Sequence, residues 1–202
     1  MSSPPPDPSS PPGAPDAPGP PTSAPARATR RTDSVVVVNT GDGKGKSSAA
    51  FGVMLRAVAR GWKVAVVQFV KSGDWKVGEQ TMGQQLGVDW FALGDGFTWN
   101  STDMQHDIDL ARLAFARAAA LVRSGDYQLV VLDELTYLCT WDWVPVADVV
   151  DTIISRPAHV NLVITGRDAP AEIVSVADTV TEMRNVKHAF DAGIAALRGI
   201  DY

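Results

Sequence analysis

The stretch "VVVVNTGDGKGKSSAAFG", residues 35–52, limits the fold more than any other part of the chain. Its consecutive valines read as a strand buried on both faces, and the residues after Lys46 place Ala50, Val53, Met54, Ala57 and Val58 on one helical face before Gly61 ends the helix. A strand that passes through a glycine-rich loop into a helix aims the helix N-terminus and several backbone N–H groups at one point, which suits a phosphate. Gly41, Gly43 and Gly45 permit backbone conformations that a Cβ forbids, so successive N–H groups are expected to turn inward around an anion. Lys46 can reach phosphate oxygens, and the Ser47 hydroxyl is placed for a magnesium ion sharing them. Lys44 is a second cation whose direction the sequence leaves open, and Ser48 has no role in the motif itself. One detail departs from the usual GxxxxGK[ST] pattern: position 40 is Thr40, and the first glycine arrives one residue late, at Gly41.

Strand-like apolar segments recur at residues 35–39, 63–70, 88–93, 127–133, 160–165 and 178–183. Helical spacing falls between them, at residues 47–60, 107–123, 146–155 and 169–176. The second of these helices opens on Asp107 and closes on Arg123, both favourable to the helix dipole. Strand and helix alternating in this order predict a three-layer α/β domain with a mainly parallel sheet; with its loop, this is a P-loop NTPase-like, RecA-like architecture. A chain of 202 residues with 45% apolar content supports one such core and is too short for two large ones.

Two more segments reach the same sheet edge. "LVVLDEL", residues 129–135, ends a strand on Asp133 and Glu134, beside the end of the first strand. One carboxylate can orient magnesium through water, and the other can accept a hydrogen bond from substrate or metal. In "VITGR", residues 163–167, Arg167 follows a strand and a glycine. It can bind phosphate in a bidentate manner or form a surface ion pair with Asp168 or another acid, and the sequence leaves both open.

Composition sets the remaining limits. Eleven of the fourteen prolines lie in the first 25 residues, without a large apolar side chain after Met1, so residues 1–33 are expected to form a disordered tail ahead of a domain at 34–202. A formal charge of -5 argues against broad binding to nucleic acid or an anionic membrane. No stretch approaches the roughly 18 apolar residues of a membrane span. The opening residues lack a secretory pattern, and the single Cys139 allows no intramolecular disulfide, so the expected compartment is the cytoplasm.

The segment "GDGFTWNSTD", residues 94–103, has glycines around Phe97 and Trp99 and no helical or strand period. Such aromatics usually anchor a loop to the core, although six tryptophans also suit a large, flat, partly apolar ligand. Near the C-terminus, Glu182, Arg184, Lys187, His188 and Asp191 exceed what a closing helix needs. An isolated histidine such as His188, His106 or His159 is more often structural than a ligand.

Taken in order, TGDGKGKSSAAFG, VVQFVK, GFTW, VLDELTY, TGR, ADTVTEM and VKHAFDAGIAALRGIDY closely resemble the ATP:corrinoid adenosyltransferases of the P-loop type, from about residue 35 to Tyr202. The resemblance implies that a cobalt(I) corrinoid attacks C5′ of ATP, forming an adenosyl–cobalt bond and expelling triphosphate. It implies that residues 41–47 (Gly41, Asp42, Gly43, Lys44, Gly45, Lys46, Ser47) cradle the triphosphate, with Ser48 and Arg167 completing the ATP-binding set. Lys46 is then the catalytic cation, and Ser47 with Glu134, alongside Asp133, serves Mg2+ (or Mn2+). Phe97 and Trp99 match the family aromatics that crowd the lower face of the corrin, removing an axial ligand so that cobalt is more easily reduced. An electron-donating flavoprotein partner and a homodimer are further implications.

Many members carry Asn and Thr where this chain has Asp42 and Ser47, and Pro where it has Asn185. Many also carry a helical N-terminal extension over the active site, which the proline-rich tail does not resemble. Two other functions compete. A P-loop kinase or ATPase accounts for GKS and the acidic strand end and leaves the late glycine and GFTW unexplained. A non-catalytic corrinoid escort predicts tight corrinoid binding without turnover.

Overall fold

The four central strands of this protein stop where their side chains turn from apolar to polar. The first strand, β1 (Val36–Thr40), ends on Asn39 and Thr40; β2 (Val64–Gln68) ends on Gln68; β4 (Leu129–Asp133) on Asp133; β5 (Asn161–Thr165) on Thr165. With β3 (Asp89–Ala92) and β6 (Thr179–Glu182) they form one six-stranded sheet in the order β3-β2-β4-β5-β1-β6, and every pairing is parallel. The computed structural model describes residues 32–70, 78–93 and 104–201. The expected tail up to residue 31 and the aromatic loop with Phe97 and Trp99 lie outside the described residues.

Parallel strands bury both faces, and the side chains alternate accordingly. Val64 and Val66 pack under α1 (Lys46–Ala59) with Ala50, Phe51, Met54 and Ala57. Ala65 and Val67 face the opposite layer, where α3 (Met104–Ser124) contributes Ala111, Ala114, Phe115, Ala118 and Val122. α5 (Val146–Ile154) and α6 (Ala171–Val176) complete that second layer through Val149, Ile153 and Ile173. The three-layer α/β architecture is therefore as expected, and the described sheet is fully parallel.

Element bounds differ from the sequence reading for local reasons. α5 and α6 both begin directly after a proline, Pro145 and Pro170, which fixes φ and cannot donate an N–H inside the helix. The sixth helix consequently starts at Ala171 and not at residue 169. α1 does stop as expected: Arg60 and Gly61 return their N–H groups to Ala57 and Val58, with Gly61 at φ 73°. Two helices carry too little periodic signal to be read from sequence: α2 (Gly78–Gln85) is mostly polar, and α4 (Thr136–Thr140) is barely one turn.

Leu162, in β5 between β4 and β1, is fully buried. Leu162→Ala is expected to lower the unfolding free energy by about 2–5 kcal/mol, measured by urea denaturation. A loss well under ~1 kcal/mol would contradict a packed centre at this strand.

Candidate active site

The glycine-rich loop owes its late start to the strand before it. Thr40 is still in β1, paired with Glu182; its hydroxyl accepts the Ala169 N–H at 3.1 Å and its carbonyl accepts the Met183 N–H at 2.8 Å. Only after Thr40 does the chain leave the sheet, at Gly41 with φ 92°. A Cβ on Gly41 would sit 2.5 Å from the Met183 carbonyl oxygen, and one on Gly43 would sit 2.7 Å from the same carbonyl. These two glycines let the loop lie against the chain leaving β6.

That contact corrects one expectation. The N–H of Gly43 is donated to the Met183 oxygen at 2.6 Å, so it does not turn inward with its neighbours. Gly43 contributes closeness of backbone approach and not an anion donor.

Lys46, the first residue of α1, folds back across the loop and donates to the carbonyls of Gly41 at 2.7 Å and Gly43 at 2.8 Å. An ammonium has three protons, so one remains for a ligand. Burial, then the Arg167 charge, lowers its pKa from the ordinary lysine value, while Asp42, Glu134 and Asp133 oppose the shift. Ser47, next in the helix, is half-buried, and Ser48 is exposed.

The two acids at the end of β4 have different fates. Asp133 is fully buried, and each carboxylate oxygen accepts a hydrogen bond: Oδ2 from the Gln68 amide at 3.0 Å and Oδ1 from the Thr165 hydroxyl at 2.7 Å. Its carboxylate is therefore a buried anchor at the strand end, with both oxygens engaged by neighbouring strands. Glu134, half-buried, has φ 64°, a conformation that costs a residue with a Cβ roughly 1–2 kcal/mol. Its N–H is donated to the Thr165 hydroxyl at 2.9 Å.

Arg167 and Asp42 face each other at 3.6 Å, both at least half exposed. This is the ion pair with another acid that the sequence left open, and an exposed pair of this kind is weak enough to exchange for an anion. Lys44 is paired with Asp201, whose other carboxylate oxygen accepts the Leu197 N–H at 2.7 Å. His188 uses Nδ1 to accept the Phe190 N–H at 3.1 Å, and His159 bonds the Gly125 carbonyl, so both have structural partners.

A cleft of about 320 Å³ brings much of this together, with Asp42, Gly43, Lys44, Lys46 and Arg167 on one side. Asn185, His188, Phe190 and Asp191 of the C-terminal segment form the rest of its lining. Phe190 and the backbone partner Met183 lie in segments that carry the family resemblance, but the sequence reading gave neither a role of its own. Among the described residues no group of three or more His, Cys, Asp or Glu side chains could hold a metal. The hard oxygen donors present, the Ser47 hydroxyl and the Glu134 carboxylate, suit Mg2+ completed by phosphate oxygens and water.

Comparison with known proteins gives the following likenesses. The family model described as ATP:corrinoid adenosyltransferase BtuR/CobO/CobP matches residues 32–202. The chain is 42% identical over 179 residues to the corrinoid adenosyltransferase of Escherichia coli (strain K12), covering 88% of this chain and 91% of that one. It is 42% identical over 168 residues to corrinoid adenosyltransferase CobA of Salmonella typhimurium (strain LT2), with 83% and 85% covered. With the corrinoid adenosyltransferase of Pseudomonas aeruginosa it shares 44% identity over 170 residues, 83% of each chain.

Gly43→Ala is expected to push the loop away from the Met183–Arg184 backbone and weaken binding of inorganic triphosphate by about tenfold or more, read by titration calorimetry. Unchanged affinity would show that this close approach does not shape the cleft.

Proposed function

We propose, from the premise that this chain belongs to the ATP:corrinoid adenosyltransferase family BtuR/CobO/CobP, that its glycine-rich loop grips the triphosphate of ATP as a leaving group. The enzyme transfers the 5′-deoxyadenosyl group of ATP to a cobalt(I) corrinoid and releases triphosphate, in adenosylcobalamin biosynthesis or salvage. Cobalt(I) supplies the electron pair for the new Co–C bond, and the C5′–O bond breaks with its pair going to triphosphate.

The observation that carries the assignment of roles is Lys46, held over its own loop by the Gly41 and Gly43 carbonyls. Its ammonium is fixed before ATP arrives, so charge growing on the leaving triphosphate meets a cation that needs no reorganisation. The backbone at Gly41 and Gly45, the Asp42 and Gly43 wall, and Lys44 with Ser48 at the rim form the remainder of the phosphate site. Arg167 exchanges its weak pairing with Asp42 for a phosphate oxygen. Ser47 and Glu134 hold Mg2+ (or Mn2+), which when bound screens the phosphate charge. Asp133 acts at one remove, through its buried hydrogen bonds.

Phe97 and Trp99 crowd the lower face of the corrin, where an apolar surface offers cobalt no replacement ligand. This reading rests on the GFTW motif and calls for an electron-donating flavoprotein. A homodimer is supported by the edge strand β6, exposed along its length, and by the exposed apolar side chains Val186, Phe190, Ile194, Leu197 and Ile200 that follow it. No helix among the described residues is long and apolar enough to cross a membrane, and the proposed site of action is the cytoplasm.

Anaerobic incubation with ATP, magnesium and cobalt(I) corrinoid is expected to give the adenosylated spectrum and inorganic triphosphate together. Detection of ADP and orthophosphate, or binding without turnover, would sink the reading. Lys46→Ala is expected to lower the turnover rate by about 100-fold or more, and an unchanged rate would remove the loop from the chemistry. Trp99→Ala is expected to impair turnover more with weakly reduced corrinoid than with corrinoid already reduced to cobalt(I); equal losses would count against the axial-ligand role.

A further inference from the structure

We propose that Thr165 is a positioning residue for adenosyl transfer, its hydroxyl locking the Asp133 carboxylate and the Glu134 main chain at a single point. The inference rests on the reading of Glu134 as a metal ligand and adds a residue to it.

A threonine hydroxyl has one proton and two lone pairs. The proton of Thr165 goes to Asp133 Oδ1 at 2.7 Å, and a lone pair takes the Glu134 N–H at 2.9 Å. Thr165 is fully buried, so no water competes for either bond. On the other side of Asp133, Oδ2 accepts from Gln68 Nε2 at 3.0 Å, and Gln68 Oε1 accepts from the Trp90 indole N–H at 2.9 Å. An indole can only donate, which fixes the orientation of the Gln68 amide and leaves its NH2 group for Asp133. Every proton direction in the chain is therefore determined. Asp133 receives hydrogen bonds from both flanks, as a carboxylate requires.

The chain of bonds crosses the four neighbouring strands β3, β2, β4 and β5 and terminates at the N–H of Glu134. Glu134 adopts its left-handed φ of 64° without being glycine, so its neighbours must hold it there. A parallel tie sits one turn further on. The Thr136 hydroxyl donates to the Arg167 carbonyl at 2.6 Å, and a Cβ on Gly166 would collide with that hydroxyl. The loops after β4 and β5 are thus pinned to each other by two threonines, with Glu134 on one loop and Arg167 on the other. Thr165 touches neither substrate nor metal in this account; it acts through Glu134.

The test is a double-mutant cycle of Thr165→Val and Glu134→Gln in the full chain, read as kcat/KM and as the Mg2+ concentration giving half the maximal rate. Thr165→Val keeps the shape and removes both bonds. It is expected to lower kcat/KM about tenfold or more and to raise the Mg2+ requirement several-fold. Thr165→Ser is expected to restore most of the rate. In the Glu134→Gln background, Thr165→Val is expected to cost little more, because its route of action is already cut. Independent, multiplying losses would overturn the proposal, as would a full rate in Thr165→Val. If Glu134→Gln alone keeps full activity, it is the role of Glu134 that fails, a separate outcome. Should Thr165→Val not fold, Thr165→Ala and Thr165→Cys carry the same cycle. Loss of folding in all three, with Thr165→Ser folded and active, would assign the hydroxyl to stability and refute the positioning role.

Discussion

The buried carboxylate of Asp133 is the constraint around which the catalytic edge is arranged. A charge removed from water costs several kcal/mol unless hydrogen bonds replace its hydration, and here two neutral donors do so from adjacent strands. Satisfying it requires a polar residue at the end of β2 and another at the end of β5, in register with β4. The Gln68–Asp133 and Leu132–Ile164 pairings supply that register. Once the anchor is met, Glu134 is set at the same end of the sheet by the next peptide unit, and the two strand ends cannot slip relative to each other without stranding a charge.

Much of the fold was open to reading because its causes are local or periodic. Val runs, the glycine at position 61 and the Asp and Arg ends of α3 act over a few residues, and they gave strands and long helices in the right order. α2 and α4 escaped because a polar helix and a one-turn helix leave no apolar stripe. The candidate site was legible where its cleft follows a contiguous motif, as from Asp42 to Lys46. It was not legible where it depends on residues 68, 90, 133 and 165 meeting across a sheet, since no spacing along the chain encodes that meeting. The different burial of Asp133 and Glu134 was hidden for the same reason: whether an acid is exposed depends on neighbours that the motif does not contain.

The loop and the chain leaving β6 explain each other. Thr40 stays in the strand because its hydroxyl and carbonyl both serve residues beyond it, and the glycines are then needed for the approach to Met183. The C-terminal segment, which lines the other side of the cleft, is therefore fastened to the phosphate loop at its base. The departure from the common loop pattern is thus a matter of where the backbone leaves the sheet, with no change in the placement of Lys46 and Ser47.

The strand β5 lies between β1, which leads into the glycine-rich loop, and β4, which ends on Asp133 with Glu134 next in the chain. Parallel strands sit about 4.8 Å apart, so the ends of β1 and β4 are separated by two such intervals, roughly 9.5 Å at the sheet edge. Backbone hydrogen bonding sets that gauge, and no side-chain replacement can reset it. Selection acting on this enzyme can therefore adjust the side chains around the two strand ends while the spacing between those ends is inherited unchanged.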